Sequence, residues 1–404
     1  MEEQPLNGVR IVDFTWAWAG PYATLLLALM GAEVIKVESL KRLDHTRVRS
    51  LMGGPIIGGP DYSPVFNDMN LNKLSLRLDL TRPKAIEIVK KLVRISDVVT
   101  QNMRPGVMEK LGLSYEVLRE VKPEIIMLSS SAVGATGPER TYVGYAPTFC
   151  ATGGLAYISG YPEGTPITLS GAIDTRVGTT AAFAILAALN YRQRSGQGQF
   201  IDLSSAEAIS SLMGEVFLGH AMNQRVTERR GNRDDSMAPH NCYPCRGQDR
   251  WVTIAVSTEE EWEAFCQALG NPGWSREERF NSARSRYQNQ DQLDSLIAEW
   301  TMQHTDYEVT EILQKVGVAA APTLNGDMVL DDPHLQERGV LTEVNHTKIG
   351  RRLVVTPPWR FSATPAQVSR AAPLLGEHNS YVLGELLGMS QDEIEQLTGE
   401  QVVY

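Results

Sequence analysis

Short apolar runs alternate with amphipathic stretches along the first part of the chain. Arg10-Ile11-Val12-Asp13-Phe14 has the continuous apolar character of a buried strand. Gly20-Pro21 then opens a helix to Met30, with proline suited to the first turn and Gly31 to the stop. Glu33-Val34-Ile35-Lys36-Val37-Glu38 predicts a second strand. Residues 81–96 predict a helix, because Pro83 fits its first turn and Ile86, Val89 and Val93 share one face. Asp97-Val98-Val99-Thr100 and Glu124-Ile125-Ile126-Met127-Leu128 are further strands, separated by the helical stretch 106–120. Apolar strands joined through helices are the signature of an α/β fold with a parallel, doubly wound sheet.

A long apolar run from Thr179 predicts a helix to Arg194. The turn Ser195-Gly196-Gln197-Gly198-Gln199 and the strand Phe200-Ile201-Asp202-Leu203 follow, then a helix over 205–218. The pattern changes near Arg225. Arg225, Arg229, Arg230 and Arg233 cross a polar stretch, and Trp251-Val252-Thr253-Ile254-Ala255-Val256 and acidic helical segments come after it. This places a smaller α+β domain at 225–325 and a large domain at 1–224 with 326–404, whose tail is helical around 383–397.

Composition narrows the function classes. Hydrophobic content of 42% and charged content of 21% are ordinary for a soluble globular protein. The run Leu25-Leu26-Leu27-Ala28-Leu29-Met30 is too short to cross a bilayer, and Met1-Glu2-Glu3-Gln4 lacks the start of a signal peptide. A cytoplasmic protein with no membrane partner is expected. A net charge of −10 argues against nucleic acid as a partner. A local cluster, Lys36, Lys41, Arg42, Arg47 and Arg49, still suits a polyanionic small molecule. Cys242 and Cys245, with His240 nearby, have metal-like spacing, but no second pair completes a site, so no metal is expected.

A doubly wound sheet binds ligands beyond the carboxyl ends of its strands. Glu38 ends the second strand, where an acidic residue could hold a ribose. The first turn, Thr15-Trp16-Ala17-Trp18-Ala19-Gly20-Pro21, has no G-x-G-x-x-G, which argues against a nicotinamide dinucleotide. Asp174 is the outstanding candidate for chemistry. It lies in Ser170-Gly171-Ala172-Ile173-Asp174-Thr175-Arg176-Val177-Gly178, directly before the helix predicted from Thr179. Unpaired N–H groups and the dipole at a helix start favour an ionised carboxylate, the form a nucleophile needs. A plain helix cap fits the same position.

Blocks spread over the chain carry a resemblance. Pro5-Leu6-Asn7-Gly8-Val9-Arg10-Ile11-Val12-Asp13-Phe14, Ala19-Gly20-Pro21 and Gly31-Ala32-Glu33-Val34-Ile35-Lys36-Val37-Glu38 form its opening. Leu71-Asn72-Lys73, Gln101-Asn102-Met103-Arg104-Pro105-Gly106, Gly144-Tyr145, the stretch 171–178, Ser195-Gly196-Gln197-Gly198-Gln199 and Leu375-Gly376-Glu377-His378-Asn379 follow in order. The chain resembles the family III (CaiB/BaiF-type) CoA-transferases. The resemblance implies a Rossmann-like large domain, an interlocked dimer, and acyl-CoA and a carboxylic acid as substrates, with no permanently bound cofactor. It implies that Asp174 attacks an acyl-CoA thioester and then carries CoA as an aspartyl thioester. It also implies CoA contacts at Trp18, Ala19, Leu71, Lys73, Asn102, Met103, Arg104 and Lys110, and acyl-group contacts at Trp16, Ala17 and Tyr145. Ser39 departs from relatives that have arginine after the second strand's Glu, and Lys41 or Arg42 would take over that phosphate contact.

The family also holds α-methylacyl-CoA racemases, which need a histidine where this chain has Tyr145; a tyrosine with an ordinary pKa near 10 is a poor base at neutral pH. Because Asp174 is present, the chain reads as an active subunit, either as a homodimer or with a related partner subunit. For the acceptor acid, Arg47, Arg49, Arg140, Arg176 and Arg233 could take a second carboxylate, with Arg176 favoured because it lies two residues from Asp174. Two tryptophans suggest an aryl-dicarboxylate such as benzylsuccinate, with succinyl-CoA as donor. Malate, itaconate, mesaconate and carnitine-type acids are the alternatives.

Overall fold

Six parallel strands form one sheet: β1 (Arg10–Asp13), β2 (Glu33–Glu38), β3 (Leu74–Arg77), β4 (Val98–Gln101), β5 (Ile126–Ser131) and β6 (Phe200–Ser204). Their order is β3-β2-β1-β4-β5-β6. The order reverses between β1 and β4, which makes a crevice at the carboxyl ends of those two strands. The computed structural model of the chain describes residues 4–49 and 55–404. β3 was absent from the sequence expectation. It is only four residues long and interleaves Ser75 and Arg77 with its two leucines, so it lacks the apolar run of the others.

Alternate residues of each strand feed opposite faces of the sheet. Val12, Ile35, Leu76 and Val99 pack under the helices Pro83–Arg94 and Tyr115–Val121, joined by Val382, Leu383 and Leu397 of the tail. Ile11, Val34, Val98 and Ile126 pack on the other face with α1 (Ala19–Leu29) and a long helix, Ser170–Ser195. The tail is a π-helical turn, Tyr381–Leu386, followed by the helix Gln391–Gly399.

The long helix corrects the sequence reading. It starts at Ser170, well before Thr179, after Leu169 in a left-handed conformation with φ 42°. Gly171 and Gly178 are both helical. Gly178 is needed for contact: a Cβ there would lie 2.6 Å from the Ala19 carbonyl oxygen and 2.9 Å from the Tyr22 ring. α1 and the long helix therefore touch almost backbone to backbone at this point.

The chain divides into two compact units, one of Met1–Ala156, Thr168–Arg225 and Glu337–Tyr404, the other of Tyr157–Ile167 and Val226–Gln336. The second unit is built on an antiparallel sheet, β7 (His240–Pro244), β8 (Trp251–Ala255) and β9 (Ala319–Pro322). Val252, Ile254, Phe265, Leu293, Ile297 and Leu313 fill its core. It reaches further than residue 325 and takes in 157–167, a short excursion with no pattern to mark it. The hairpin β10 (Leu341–His346) and β11 (Gly350–Val355) belongs to the first unit.

Gly178→Ala should lower stability by about 1–3 kcal/mol, because the new methyl meets backbone rather than a movable side chain. Gly171→Ala, with open space around it, should raise stability by about 0.5–1 kcal/mol through helix propensity. Denaturant unfolding of both variants checks the pair, and equal midpoints would contradict the close helix contact.

Candidate active site

The turn after β1 stands at the sheet's crevice and is held by buried charges. Asp13, fully buried, accepts from Thr15 N (2.8 Å), Thr15 Oγ1 (2.5 Å), Thr24 Oγ1 (2.7 Å) and Thr100 Oγ1 (3.0 Å). Lys73 Nζ lies 3.6 Å from it. Lys36 Nζ donates to the Thr15 carbonyl at 2.6 Å and pairs with Asp44 at 3.1 Å. Asp44 in turn accepts from Ala17 N at 3.0 Å and from Thr46 N at 2.9 Å. Asn102 closes the other side, accepting from Trp16 N at 2.9 Å and donating to Trp16 O at 2.7 Å. Ala17 takes φ 66°, a left-handed conformation that costs an alanine on the order of 1 kcal/mol. Burial alone would raise the Asp13 carboxyl, but Lys73 and Lys36 hold it below its usual value. Burial drags the Lys73 ammonium down to about 7 despite Asp13.

Several expected ligand contacts turn inward as a result. Lys73 has no exposed surface, and its ammonium donates to Pro21 O, Thr24 Oγ1 and Asn70 Oδ1. Leu71 packs with Leu25, Leu29, Val344 and Val354. Both side chains are buried. Lys36 and Arg47 of the basic cluster are also buried. Arg47 spans Glu38, at 2.7 and 2.8 Å, and Asp61 at 3.0 Å, so Glu38 is not free for a ribose either. Lys41 pairs with Asp79. Arg42 and Arg49 remain, with no ion pair among the described residues.

A cleft of about 260 Å³ opens beside this turn. Trp16, Met103, Val107 and Leu111 give it an apolar wall, and Ser39, Lys41 and Arg42 line its polar side. Arg104 and Lys110 are exposed next to Met103 and Val107 and make no ion pair among the described residues. Asn102 acts on the turn's backbone. The Trp18 indole N–H is buried without a partner among the described residues.

Asp174 occupies the second turn of the long helix, not the position before it, so the helix's free N–H groups do not reach it. It is half-buried and makes no hydrogen bond or ion pair among the described residues. Burial pushes its carboxyl up to about 7, opposite to the ionisation expected from a helix start. Its neighbours Ile173 and Val177 belong to one buried apolar cluster with Ala146 and Phe149, and Ala19 of α1 packs against it. Arg176 turns away: two helical positions are a rotation of roughly 200°, and its guanidinium bonds Ser211 Oγ at 3.2 Å. Arg233, in the second unit, is held by Asp291 and Asp294.

Two residues were not foreseen as a pair. Arg42 lies with its guanidinium carbon 4.2 Å from the Trp16 ring centre, and the His45 ring lies 4.5 Å from that ring. His45 belongs to the short helix α2 (His45–Val48), and its Nδ1 is 3.2 Å from the Tyr145 hydroxyl. Only contact across a hundred positions reveals this, so no local motif marks His45. Burial lowers its pKa; Asp44 opposes that shift, and Arg49 and Arg42 add to it. Cys242 and Cys245 are free thiols on or beside β7, and burial raises Cys245 to about 11. No group of three or more potential metal ligands occurs among the described residues.

The family model described as CoA-transferase family III matches residues 6–379. Succinyl-CoA–D-citramalate CoA-transferase of Chloroflexus aurantiacus is 34% identical over 99% of this chain and 98% of its own length. The beta subunit of succinyl-CoA–L-malate CoA-transferase from the same organism is 31% identical over 99% of this chain and 98% of its own. A crystal structure of a CAIB/BAIF family protein from Brucella suis superposes with a TM-score of 0.84, at 28% identity, over 95% of this chain and 100% of that one. With this match running from the first strand to the tail, the chain belongs to the family III CoA-transferases and is an enzyme of that class.

Proposed function

We propose that the enzyme moves CoA from succinyl-CoA to a dicarboxylic acid through a CoA thioester on Asp174. The carrying observation is that Asp174 is half-buried, unpaired among the described residues and raised to about 7. Structural carboxylates in this chain are paired, as Asp13 and Asp44 are. A carboxylate kept apart from cations and largely from water is a better nucleophile once ionised.

In the first step an Asp174 oxygen attacks the thioester carbonyl. The C–S bond breaks, leaving an acyl-aspartyl anhydride and CoA thiolate. The thiolate attacks the aspartyl carbonyl and expels the donor acid as its carboxylate. The acceptor carboxylate then attacks the aspartyl thioester, and the released thiolate takes the new acyl group, restoring Asp174. No water enters the sequence. The adenine end of CoA sits against Met103, Val107 and Leu111, with Arg42, Arg104 and Lys110 at its phosphates. The thiol arm follows the turn Trp16-Ala17-Trp18-Ala19 toward Asp174.

For the acceptor, a small aliphatic dicarboxylate replaces benzylsuccinate as the first choice. The Trp16 ring, expected to receive an aryl group, is already packed by Arg42 and His45. The curated relatives act on citramalate and malate. Tyr142, Val143, Leu169, Phe183, Phe217, Leu218 and Met222 are large apolar residues left exposed. Such a surface calls for cover; an interlocked dimer provides it, with a second identical chain or a related subunit, as the relative named a beta subunit suggests.

Asp174→Ala should cut transfer by at least about 10³-fold with the fold retained. Hydroxylamine should inactivate the wild type only in the presence of acyl-CoA. Turnover in the variant, or inactivation without acyl-CoA, would contradict the mechanism. The first half-reaction should gain rate as pH rises through about 7, where Asp174 ionises.

Stability should run the other way. The folded chain keeps this proton up to about 7, while the unfolded chain loses it near 3.8, so the folded state binds more protons between these values and loses stability as pH rises through them. Asp174→Asn should therefore stabilise the enzyme by about 1 kcal/mol at pH near 8, a figure reduced for solvent exposure, and by nothing below pH of about 4. Thermal melts at the two pH values check it.

A further inference from the structure

Three of the five expected dicarboxylate-binding arginines are spent elsewhere: Arg47 is locked by Glu38 and Asp61, Arg176 faces Ser211 and Arg233 is held by Asp291 and Asp294; Arg49 and Arg140 are exposed and make no ion pair among the described residues. An acid with two carboxylates still needs a partner for the one that does not react. The column Arg42–Trp16–His45–Tyr145 offers one. Trp16 holds the His45 ring at 4.5 Å, and the Tyr145 hydroxyl engages Nδ1 at 3.2 Å. When Tyr145 donates to Nδ1, the neutral imidazole carries its proton on Nε2. That Nε2 has no partner among the described residues and is not one of the sealed-off buried polar atoms. Asp44 acts on the ring against Arg49 and Arg42, but its charge is paired with Lys36, whereas Arg42 and Arg49 make no ion pair among the described residues and can engage an anion. Tyr145 precedes Ala146, which belongs to the same buried apolar cluster as Ile173, the residue before Asp174.

We infer that His45 is the specificity residue for the acid: its Nε2–H binds the far carboxylate of a dicarboxylate, with Tyr145 fixing the tautomer and Arg42 and Arg49 supplying the field. This rests on the assignment of Asp174 as CoA carrier and names the substrate class that the same site selects. A mere stacking brace for Trp16 would need the ring of His45 but not its N–H, and that difference can be measured.

His45→Phe keeps an aromatic ring on Trp16 and removes the donor. With succinyl-CoA as donor and L-malate as acceptor, the loss should fall on the acceptor's KM, raised about tenfold or more, as for one hydrogen bond to a charged group. The effect on kcat should be smaller. His45→Gln, which restores an N–H, should recover part of the loss. Preference for a dicarboxylate over the monocarboxylate of equal chain length should shrink in His45→Phe. An unchanged acceptor KM, or a fall confined to kcat, would overturn the inference. Hydroxylamine trapping with succinyl-CoA separates the two claims. If His45→Phe still forms the sensitive adduct, the Asp174 assignment stands whatever happens to KM; if the wild type forms none, that assignment fails and the inference falls with it.

Discussion

Everything at the candidate site depends on a set of opposite charges buried under the turn after β1. Asp13 lies against Lys73, Lys36 pairs with Asp44, and the aspartate oxygens also accept from the backbone or hydroxyls of Thr15, Ala17 and Thr24. Removing one partner of such a pair costs about 3–5 kcal/mol, because the other stays buried and uncompensated. The network is thus a positional device. It holds Ala17 in a left-handed conformation and sets Trp16, against which Arg42 and His45 both pack.

A second constraint works on the other wall. Because Gly178 has no side chain, α1 and the long helix come together at Ala19, and Asp174 is one turn earlier on the same helix. The carboxylate is shielded there without being given a cation. The two walls treat acids in opposite ways: the turn pairs its aspartates and keeps them ionised, and the helix isolates one and raises it. A pair of environments that drive carboxyl groups apart in pKa is a recognised mark of a working site.

The sheet was legible because most of its strands are buried on both faces and carry short apolar runs, and its helices because proline and glycine punctuate them. What escaped were features set by contact at a distance. The start of the long helix was misplaced because Gly178 reads as a breaker until the backbone of α1 is beside it. β3 hid in a polar alternation. Lys73, Lys36 and Arg47 looked like phosphate ligands, since a lysine buried against an aspartate far along the chain has the same local sequence as one on the surface. Asp174 stands out in the sequence for a helix dipole that does not reach it; burial beside Ile173 and Val177 sets its state instead. His45 had no local signal at all, and its meaning comes from Trp16 and Tyr145.

The most direct test of Asp174 as the CoA carrier is the mass of its own peptide. The enzyme should be mixed with succinyl-CoA without acceptor, quenched in acid within the steady state, digested and analysed. The peptide containing Asp174 should gain the mass of CoA less one water, and the gain should disappear when acceptor acid is added before the quench. An unmodified Asp174 peptide in an enzyme that is turning over, or an adduct on another residue, would contradict the account.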